Sequence, residues 1–330
     1  MKQLIIHAGI QRTGTTTLQS YLATHADALR RQGLHYAVAS RTSNHQELGW
    51  ALRRGEVDAA AFAAWIARES RPDCNRTLLS AEVFCTLRNL SFLDEARKEH
   101  DVVAVFYLRR QDEWLSSWYN VNVKLGPFRD LARMGPEEFL GQRGRFHWLR
   151  YAGMLDTWAA AIGADNLRVR VVEPAQVSDV VADFLAIIGA SSLPPARARS
   201  NVSLAADQIA FLRALNPSRP ARRKISRALA AILSDAPVTV FSPETRRAIL
   251  ADYASDNAAA ARRHLRRADG RLFLNDTVPD DAPWYRGDVW SDPERLRRYV
   301  DAAIAALDGE AAAAAPPVRR KTPQVRIKTG

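Results

Sequence analysis

Short apolar runs alternate, over the first 190 residues, with segments in which apolar positions recur every three or four residues. A short apolar run bounded by polar residues predicts a buried strand, and the longer recurrence predicts a helix with one buried face. The predicted strands are the run that starts at Leu4 and the segments 34–36, 77–80, 101–108 and 167–172. This alternation indicates an α/β fold with a doubly wound, mainly parallel sheet of about five strands flanked by helices.

The helical pattern also predicts how the chain is divided. The predicted helices of the first part are 18–31, one near Glu47, 59–68, 91–99, 112–123, 151–162 and 178–188, with an irregular insertion over 126–145. Beyond about residue 191 the pattern indicates helices only, including 243–267 and 293–307. We expect an α/β core over 1–190, a mostly helical C-terminal part of the same domain over 191–310, and a flexible basic tail over 311–330.

The positive charge is concentrated in two segments. The net charge is +11, and residues 197–247 hold ten Lys or Arg against three Asp or Glu, while the tail from Pro316 adds five basic residues and no acid. A localised basic surface implies an anionic partner: a charged nucleotide, an acidic glycan, a membrane surface or a nucleic acid. Only two aromatic residues, Phe211 and Phe241, lie in the basic segment, too few for base stacking, so we expect no nucleic-acid partner.

The composition indicates which broad class of protein this sequence belongs to. The sequence has 47% hydrophobic and 25% charged residues, typical of a globular protein, and lacks the run of about 20 apolar residues that spans a bilayer. It begins without the apolar region of a secretory signal, so we expect a cytoplasmic protein, for which peripheral membrane contact stays open. Cys74 and Cys85 belong to no CxxC motif or histidine cluster, which predicts neither a disulfide framework nor a metal site.

The first strand leads into a glycine-containing loop and then a helix, an arrangement that binds phosphate. Gly9 and Gly14 have the spacing of the P-loop of ATP- and GTP-binding proteins, Gly-x4-Gly-Lys-[Ser/Thr]. Thr15 stands where that motif has its lysine, and the one cation of the loop is Arg12. The sequence therefore predicts an anion site that differs from the ordinary nucleoside-triphosphate site.

A second anion-binding pair follows the strongest predicted strand. Arg109 comes directly after that strand, and Ser117 lies eight residues further, on the following helix. The carboxyl ends of parallel strands line the ligand crevice of such folds, and a guanidinium with a hydroxyl suits a second phosphate. The same residues are also compatible with an Arg109–carboxylate pair and a solvent-facing Ser117.

Together these two segments resemble a known family. The stretch Arg12-Thr13-Gly14-Thr15-Thr16-Thr17-Leu18 is similar to the 5′-phosphosulfate-binding loop of sulfotransferases, whose usual form is Lys-x-Gly-Thr-Thr-x-Leu. The stretch from Tyr107-Leu108-Arg109-Arg110 to Ser117-Trp118-Tyr119 resembles their 3′-phosphate motif. The resemblance covers roughly residues 1–190, with two departures: Arg12 replaces the usual lysine, and Arg110 replaces a common aspartate.

The resemblance implies a P-loop-like fold that binds PAPS (3′-phosphoadenosine 5′-phosphosulfate). Thr13, Gly14, Thr15, Thr16 and Thr17 would hold the 5′-phosphate. Arg109 and Ser117 would hold the 3′-phosphate, and Arg12 would stabilise the departing phosphate oxygen. The implied reaction is in-line transfer of the sulfuryl group to a hydroxyl or amine of a glycan, glycolipid or other small or lipid-linked acceptor. No metal is expected, because the transferred group carries less negative charge than a phosphoryl.

The acceptor hydroxyl must lose a proton, so the reaction needs a general base. Family members use Glu or His, and the candidates here are Glu82, at the end of the third predicted strand, and His45, in a polar loop before a helix. Glu82 is also compatible with an ion pair to Arg12 or Arg109, and His45 with a capping role. The loop from Arg199 to Ser203 is a weaker candidate for contact with the 3′-phosphate or adenine.

The sequence is also compatible with two other classes of function. A P-loop kinase of small molecules would need ATP and Mg²⁺, which the lost lysine and the absence of an aspartate at a strand end disfavour. A non-catalytic protein could bind RNA or another anionic polymer through the basic 197–247 segment. The aromatic residues between positions 114 and 151 are compatible with stacking on sugar rings and equally with packing in the core.

Overall fold

The computed structural model describes residues 2–37, 43–190, 193–194 and 203–308 of the 330-residue chain. The chain divides into two compact units. The first comprises Met1–Tyr119, Met134–Val202 and Thr239–Trp284, and the second comprises Asn120–Arg133, Ser203–Val238 and Tyr285–Gly330. The expected tail over 311–330 lies outside the described residues.

A five-stranded sheet forms the centre of the first unit, and all of its strands are parallel. The strands are β1 (Lys2–Gly9), β2 (Leu34–Tyr36), β3 (Arg76–Ser80), β4 (His100–Leu108) and β5 (Leu167–Val171), in the order β2-β3-β1-β4-β5. After β1 the chain crosses towards β2, whereas after β4 it crosses to β5 on the other side. The carboxyl ends of β1 and β4 therefore form the switch point at which ligands bind in such sheets.

Thirteen α-helices connect or follow these strands in the described chain. They are α1 (Thr15–Thr24), α2 (Ala26–Arg31), α3 (Gln46–Arg53), α4 (Ala59–Glu69), α5 (Ala96–Glu99), α6 (Gln111–Leu125), α7 (Pro136–Gly141), α8 (Tyr151–Ile162), α9 (Val180–Ile187), α10 (Ala206–Leu215), α11 (Arg219–Ala230), α12 (Pro243–His264) and α13 (Pro293–Asp308). Within the described part of the chain, none of them has the length and apolarity needed to cross a bilayer.

Helices cover both faces of the sheet because successive side chains of a strand point to opposite sides. On one face, Val105 and Tyr107 of β4 belong to a buried cluster with Leu18 of α1 and Phe184 of α9. On the other face, Phe106 packs edge-on against Trp158 of α8, with 5.4 Å between ring centroids. The α/β fold with a parallel sheet and flanking helices is confirmed.

Three local predictions were wrong. The helix predicted over 18–31 is interrupted at His25, whose ring stacks on Tyr21 at 4.1 Å between centroids. The helix predicted over 91–99 is a short 3-10 turn followed by the single turn α5, because the adjacent residues Phe92 and Leu93 are both buried. The predicted irregular insertion over 126–145 contains α7, which begins with Pro136 at its first position, where proline is favoured.

A buried ionic cluster fixes the start of α6. Asp112 is fully buried and forms ion pairs at 2.8 Å with both Arg110 and Arg246, the second of which belongs to α12. Arg110 also donates to the backbone oxygens of Asn275 and Thr277. Arg110, at the position where the motif that this stretch resembles commonly has aspartate, therefore ties the start of α6 to the segment 275–277.

We expect Asp112→Ala to lower the free energy of unfolding by about 3–5 kcal/mol, because it removes the buried carboxylate that pairs with both arginines and leaves Arg110 with only a 3.7 Å contact to Glu113. Urea unfolding followed by circular dichroism measures this change. Asp73→Ala is the matched control, since it removes one partner of a half-exposed ion pair with Arg30 and should have little effect. Equal unfolding midpoints for the two variants would contradict the assignment.

Candidate anion-binding site

The carboxyl ends of β1 and β4 open onto a cavity of about 680 Å³ in the first unit. Four parts of the chain line it: the loop after β1 with the start of α1, the residues from Arg109 to the start of α6, the segment that joins β5 to α9, and Asn275. The lining side chains include Arg12, Thr13, Thr17, Arg109, Glu113, Glu173, Ser178 and Asp179. The volume is in the usual range for a small-molecule site, about 300–1,000 Å³.

Glycine is required at two positions of the loop. Gly14, directly before α1, has a φ of +85°, a value that side chains disfavour. Gly9 has a φ of +101°, and a Cβ atom there would lie 3.1 Å from the Cα atom of Glu82. The loop therefore turns tightly past Glu82 and presents the unsatisfied N–H groups of the first turn of α1, where an anion is stabilised.

Arg12 is half-buried at the centre of the loop. Its Nε donates to the Oγ of Ser117 at 2.7 Å, and it forms no ion pair with any carboxylate of the described chain. Burial lowers the pKa of Arg12, the charge of Arg109 lowers it further, and the charge of Glu82 partly opposes these effects. A half-buried cation beside a second cation favours an anion in the cavity.

Arg109 occupies the first position after β4, as the sequence predicts. Its Nη1 donates to the backbone oxygen of Arg12 at 3.0 Å, and its Nε contacts a carboxylate oxygen of Glu113 at 3.2 Å. The two arginines therefore lie side by side, although 97 residues separate them in sequence. Glu113 balances part of this charge and would compete with any anion that Arg109 binds.

Ser117 approaches the loop from the second turn of α6. Its Oγ accepts the hydrogen bond from Arg12 and retains a proton to donate to an anion. Trp114, one turn earlier, donates from Nε1 to the backbone oxygen of Gln11 at 2.7 Å. The helix that carries Ser117 is thus attached to the loop at two points. Ser117 lies against Arg12, although it is not among the residues that line the cavity.

The predicted threonine ligands point in different directions. Thr13 is buried and donates its hydroxyl to the backbone oxygen of Ile10 at 2.7 Å. Thr17 lines the cavity, while Thr16 is exposed and is not among the residues that line it. Thr15 donates its hydroxyl to Glu82, so only its backbone N–H at the start of α1 remains directed towards an anion.

Glu82 lies two residues beyond β3 and is not among the residues that line the cavity. Its carboxylate accepts the hydroxyl of Thr15, and its backbone oxygen accepts the side-chain amide of Gln11 at 3.3 Å. The carboxylate lies near enough to Arg12 to influence the pKa of that guanidinium, although the two form no ion pair. The structure therefore places Glu82 beside Arg12.

His45 has a different setting, at the start of α3. Its ring is 5% exposed, its Nε2 lies 2.7 Å from the backbone oxygen of Ala37, and its Nδ1 accepts the backbone N–H of Ser80 at 3.0 Å. Burial lowers the pKa of His45 to about 4, so the ring is neutral at pH 7. Both ring nitrogens of His45 are therefore hydrogen-bonded. One bond reaches the residue after β2 and the other reaches the last residue of β3, so the ring joins the ends of these two strands.

The sequence patterns did not predict that the segment between β5 and α9 contributes to the site. Glu173, Ser178 and Asp179 line the cavity, and Glu173 accepts the backbone N–H of Leu274 at 2.7 Å. The rule that selected Arg109 selects this segment too, because it follows the carboxyl end of a parallel strand. Of the 199–203 loop only Ser203 belongs to the described residues.

The aromatic residues between 114 and 151 are mostly core residues. Trp114, Tyr119, Phe146, Trp148 and Tyr151 are buried. Trp118 is half-buried and stacks on Trp114 with 5.3 Å between centroids, one residue after Ser117.

Comparison with protein-family models and with curated proteins finds no match for this sequence.

Proposed function

We propose that this protein is a sulfotransferase that moves a sulfuryl group from PAPS to a hydroxyl or amine of an acceptor. The single observation that carries the proposal is the pair of neighbouring guanidinium groups, Arg12 and Arg109, at the N-terminal end of α1. One phosphate at the loop and a second phosphate near Arg109 would satisfy both cations. A donor with two separate phosphates, such as PAPS, matches this arrangement better than a linear triphosphate.

The cavity also suits this donor in size and composition. Its volume of about 680 Å³ accommodates a nucleotide, and the arginines lie at its loop end. In the proposed P-loop-like site, Arg12, the backbone of 13–17 and the hydroxyl of Thr17 would hold the 5′-phosphate, while the Thr13 hydroxyl supports the loop through Ile10. Arg109 and Ser117 would hold the 3′-phosphate. The segment from Glu173 to Asp179 is then left for the ribose and adenine.

The proposed reaction assigns proton transfer to Glu82 and charge stabilisation to Arg12. The acceptor oxygen gives its proton to the Glu82 carboxylate as it forms a bond to sulfur. The bond between sulfur and the 5′-phosphate oxygen breaks, and that oxygen keeps the electron pair. Arg12 stabilises the resulting negative charge. We assign the base to Glu82 rather than His45 because Glu82 lies beside Arg12 and both ring nitrogens of His45 are hydrogen-bonded.

The donor assignment predicts how Arg109→Gln affects nucleotide binding. We expect the variant to bind 3′-phosphoadenosine 5′-phosphate about 10- to 100-fold more weakly, because a charged hydrogen bond to the 3′-phosphate is lost. Binding of 5′-AMP, which lacks that phosphate, should change little. Isothermal titration calorimetry with both nucleotides measures the difference.

Glu113→Gln is the control for this experiment, since Glu113 lines the same cavity and holds Arg109. Removing its charge frees Arg109 and should strengthen binding of the 3′-phosphorylated nucleotide. Equal losses for the two nucleotides in Arg109→Gln would place the 3′-phosphate elsewhere.

The position of Glu82 is also compatible with a kinase. Glu82 follows β3, the strand next to β1, where a carboxylate can serve a magnesium ion. In the described structure this carboxylate accepts a hydrogen bond from Thr15, which stands at the lysine position of a P-loop. The position that binds magnesium in a P-loop is occupied by the next residue, Thr16. A kinase would transfer phosphate from ATP and lose activity in EDTA, whereas the proposed reaction uses PAPS and tolerates EDTA.

A further inference from the structure

Large apolar side chains are exposed mainly in the second unit. Ten such side chains are exposed in the described chain, and nine of them belong to this unit. The nine are Leu125, Phe128, Leu215, Leu233, Val238, Trp290, Val300, Ile304 and Leu307. Removing apolar surface from water lowers the free energy, so exposed apolar side chains in this number make the second unit a candidate for binding another molecule or a membrane.

The same unit carries unpaired positive charge on α11. Arg219, Arg223 and Arg227 lie four residues apart, so they form one stripe along the helix, and all three are exposed. None of the three makes a hydrogen bond or ion pair with the described part of the chain. The helix contains no Asp or Glu, while Ile225 and Leu229 form its buried side. The exposed side of α11 is therefore uniformly cationic.

Leu233 is an exposed apolar side chain that lies close to several arginines. It lies three residues beyond the end of α11 and is 92% exposed, the largest exposure among the large apolar side chains. Arg298 of α13 donates to the backbone oxygen of Leu233 at 3.4 Å, which places another cation beside it. The nearby carboxylate of Asp235 is paired with Arg295 at 3.0 Å. Leu233 thus lies between the cationic helix α11 and Arg298, next to a carboxylate that is already paired.

Helix α13 adds a second apolar feature. Val300, Ile304 and Leu307 recur at helical spacing and are all exposed, whereas Tyr299 and Ala303 form the buried side. The outward side of this helix is therefore partly apolar, although Asp301 and Asp308 are also exposed on it.

We propose that the second unit docks on an anionic lipid bilayer, with the α11 arginines at the lipid headgroups and Leu233 inserted between them. Anionic lipid offers negative charge and an apolar phase at the same boundary, which matches the combination seen here. A nucleic acid would satisfy the arginines but would leave Leu233 in water. This inference does not depend on the sulfuryl-transfer proposal, because it uses no residue of that site.

Vesicle sedimentation with the full chain tests the docking surface. We expect the protein to sediment with vesicles of phosphatidylcholine mixed with phosphatidylserine, to stay in solution with phosphatidylcholine alone, and to dissociate as salt is raised. Arg223→Gln combined with Arg227→Gln should weaken the partition coefficient about tenfold or more, because each basic residue near an anionic surface contributes to binding. Leu233→Ser should weaken it about three- to tenfold through the lost apolar contact.

Matched controls come from the first unit. Arg262→Gln combined with Arg266→Gln removes the same charge from two exposed arginines that are also four residues apart, and Leu274→Ser changes an exposed leucine. Both controls keep the basic tail and should bind vesicles like the original protein.

Vesicle binding that is equal in the α11 variant and its control, or absent in the original protein, would overturn the proposal. Loss of binding to an RNA homopolymer in the α11 variant, without vesicle binding, would identify a polyanion partner instead. Apolar self-association would appear as a Leu233-dependent dimer in sedimentation velocity without vesicle binding, which would also overturn it.

Discussion

Arg12→Ala should lower the turnover of sulfuryl transfer by about 10²-fold or more, the effect of losing one preorganised donor at a developing charge. Arg12 is the cation of the loop after β1, and it is held towards the cavity by its hydrogen bond to Ser117. Without it, the departing phosphate oxygen would gain its charge beside the α1 backbone alone. Steady-state turnover with saturating PAPS measures this effect.

Arg12→Lys is the matched variant for this test. Both substitutions place a new side chain at the same positive φ of 68°, so the difference between them reports the charge rather than the backbone. We expect the lysine variant to recover a large part of the turnover, since lysine is the usual residue of the motif that this loop resembles. Turnover that is unaffected in Arg12→Ala would refute the proposed role of Arg12.

Glu82→Gln should lower turnover by about 10²- to 10⁴-fold, the usual contribution of a general base. Glutamine keeps an oxygen that can accept the hydroxyl of Thr15, so the loop should retain its conformation. Binding of 3′-phosphoadenosine 5′-phosphate should therefore remain close to that of the original protein. Turnover and nucleotide affinity, measured on the same preparation, separate proton transfer from a purely structural contact.

The corresponding change at His45 should have a different outcome. His45→Gln disturbs the buried hydrogen bonds to Ala37 and Ser80, so we expect a lower free energy of unfolding. Turnover per folded molecule should change little. A large loss of turnover in His45→Gln with full activity in Glu82→Gln would reverse the assignment of the base.

The sheet was predictable because its strands are local patterns. The apolar run from Val102 to Leu108 is rich in valine and has the length of a buried strand, and it forms most of β4. The break at His25 was not predictable from periodicity, since it depends on a stacking contact with Tyr21. The interleaved segments of the two units were also beyond local patterns, because residues 120–133 belong with segments that follow much later in the chain.

The site was predictable only in part, for a similar reason. Arg12 and Arg109 follow strand ends, so topology alone brings them to one edge of the sheet. The bond between Arg12 and Ser117 joins residues 105 apart in sequence, and its geometry depends on how α6 packs. The occupied ring of His45 depends on backbone atoms of two different strand ends, which no sequence pattern shows.

The most direct test of the central claim is transfer of radiolabelled sulfur from PAPS in the presence of EDTA. The purified chain would be incubated with a panel of glycan, glycolipid and small-molecule acceptors, with the Arg12→Ala variant in parallel. We expect label on at least one acceptor class, unaffected by EDTA and strongly reduced in the variant. Phosphate transfer from ATP that requires Mg²⁺, with no transfer from PAPS to any acceptor, would contradict it.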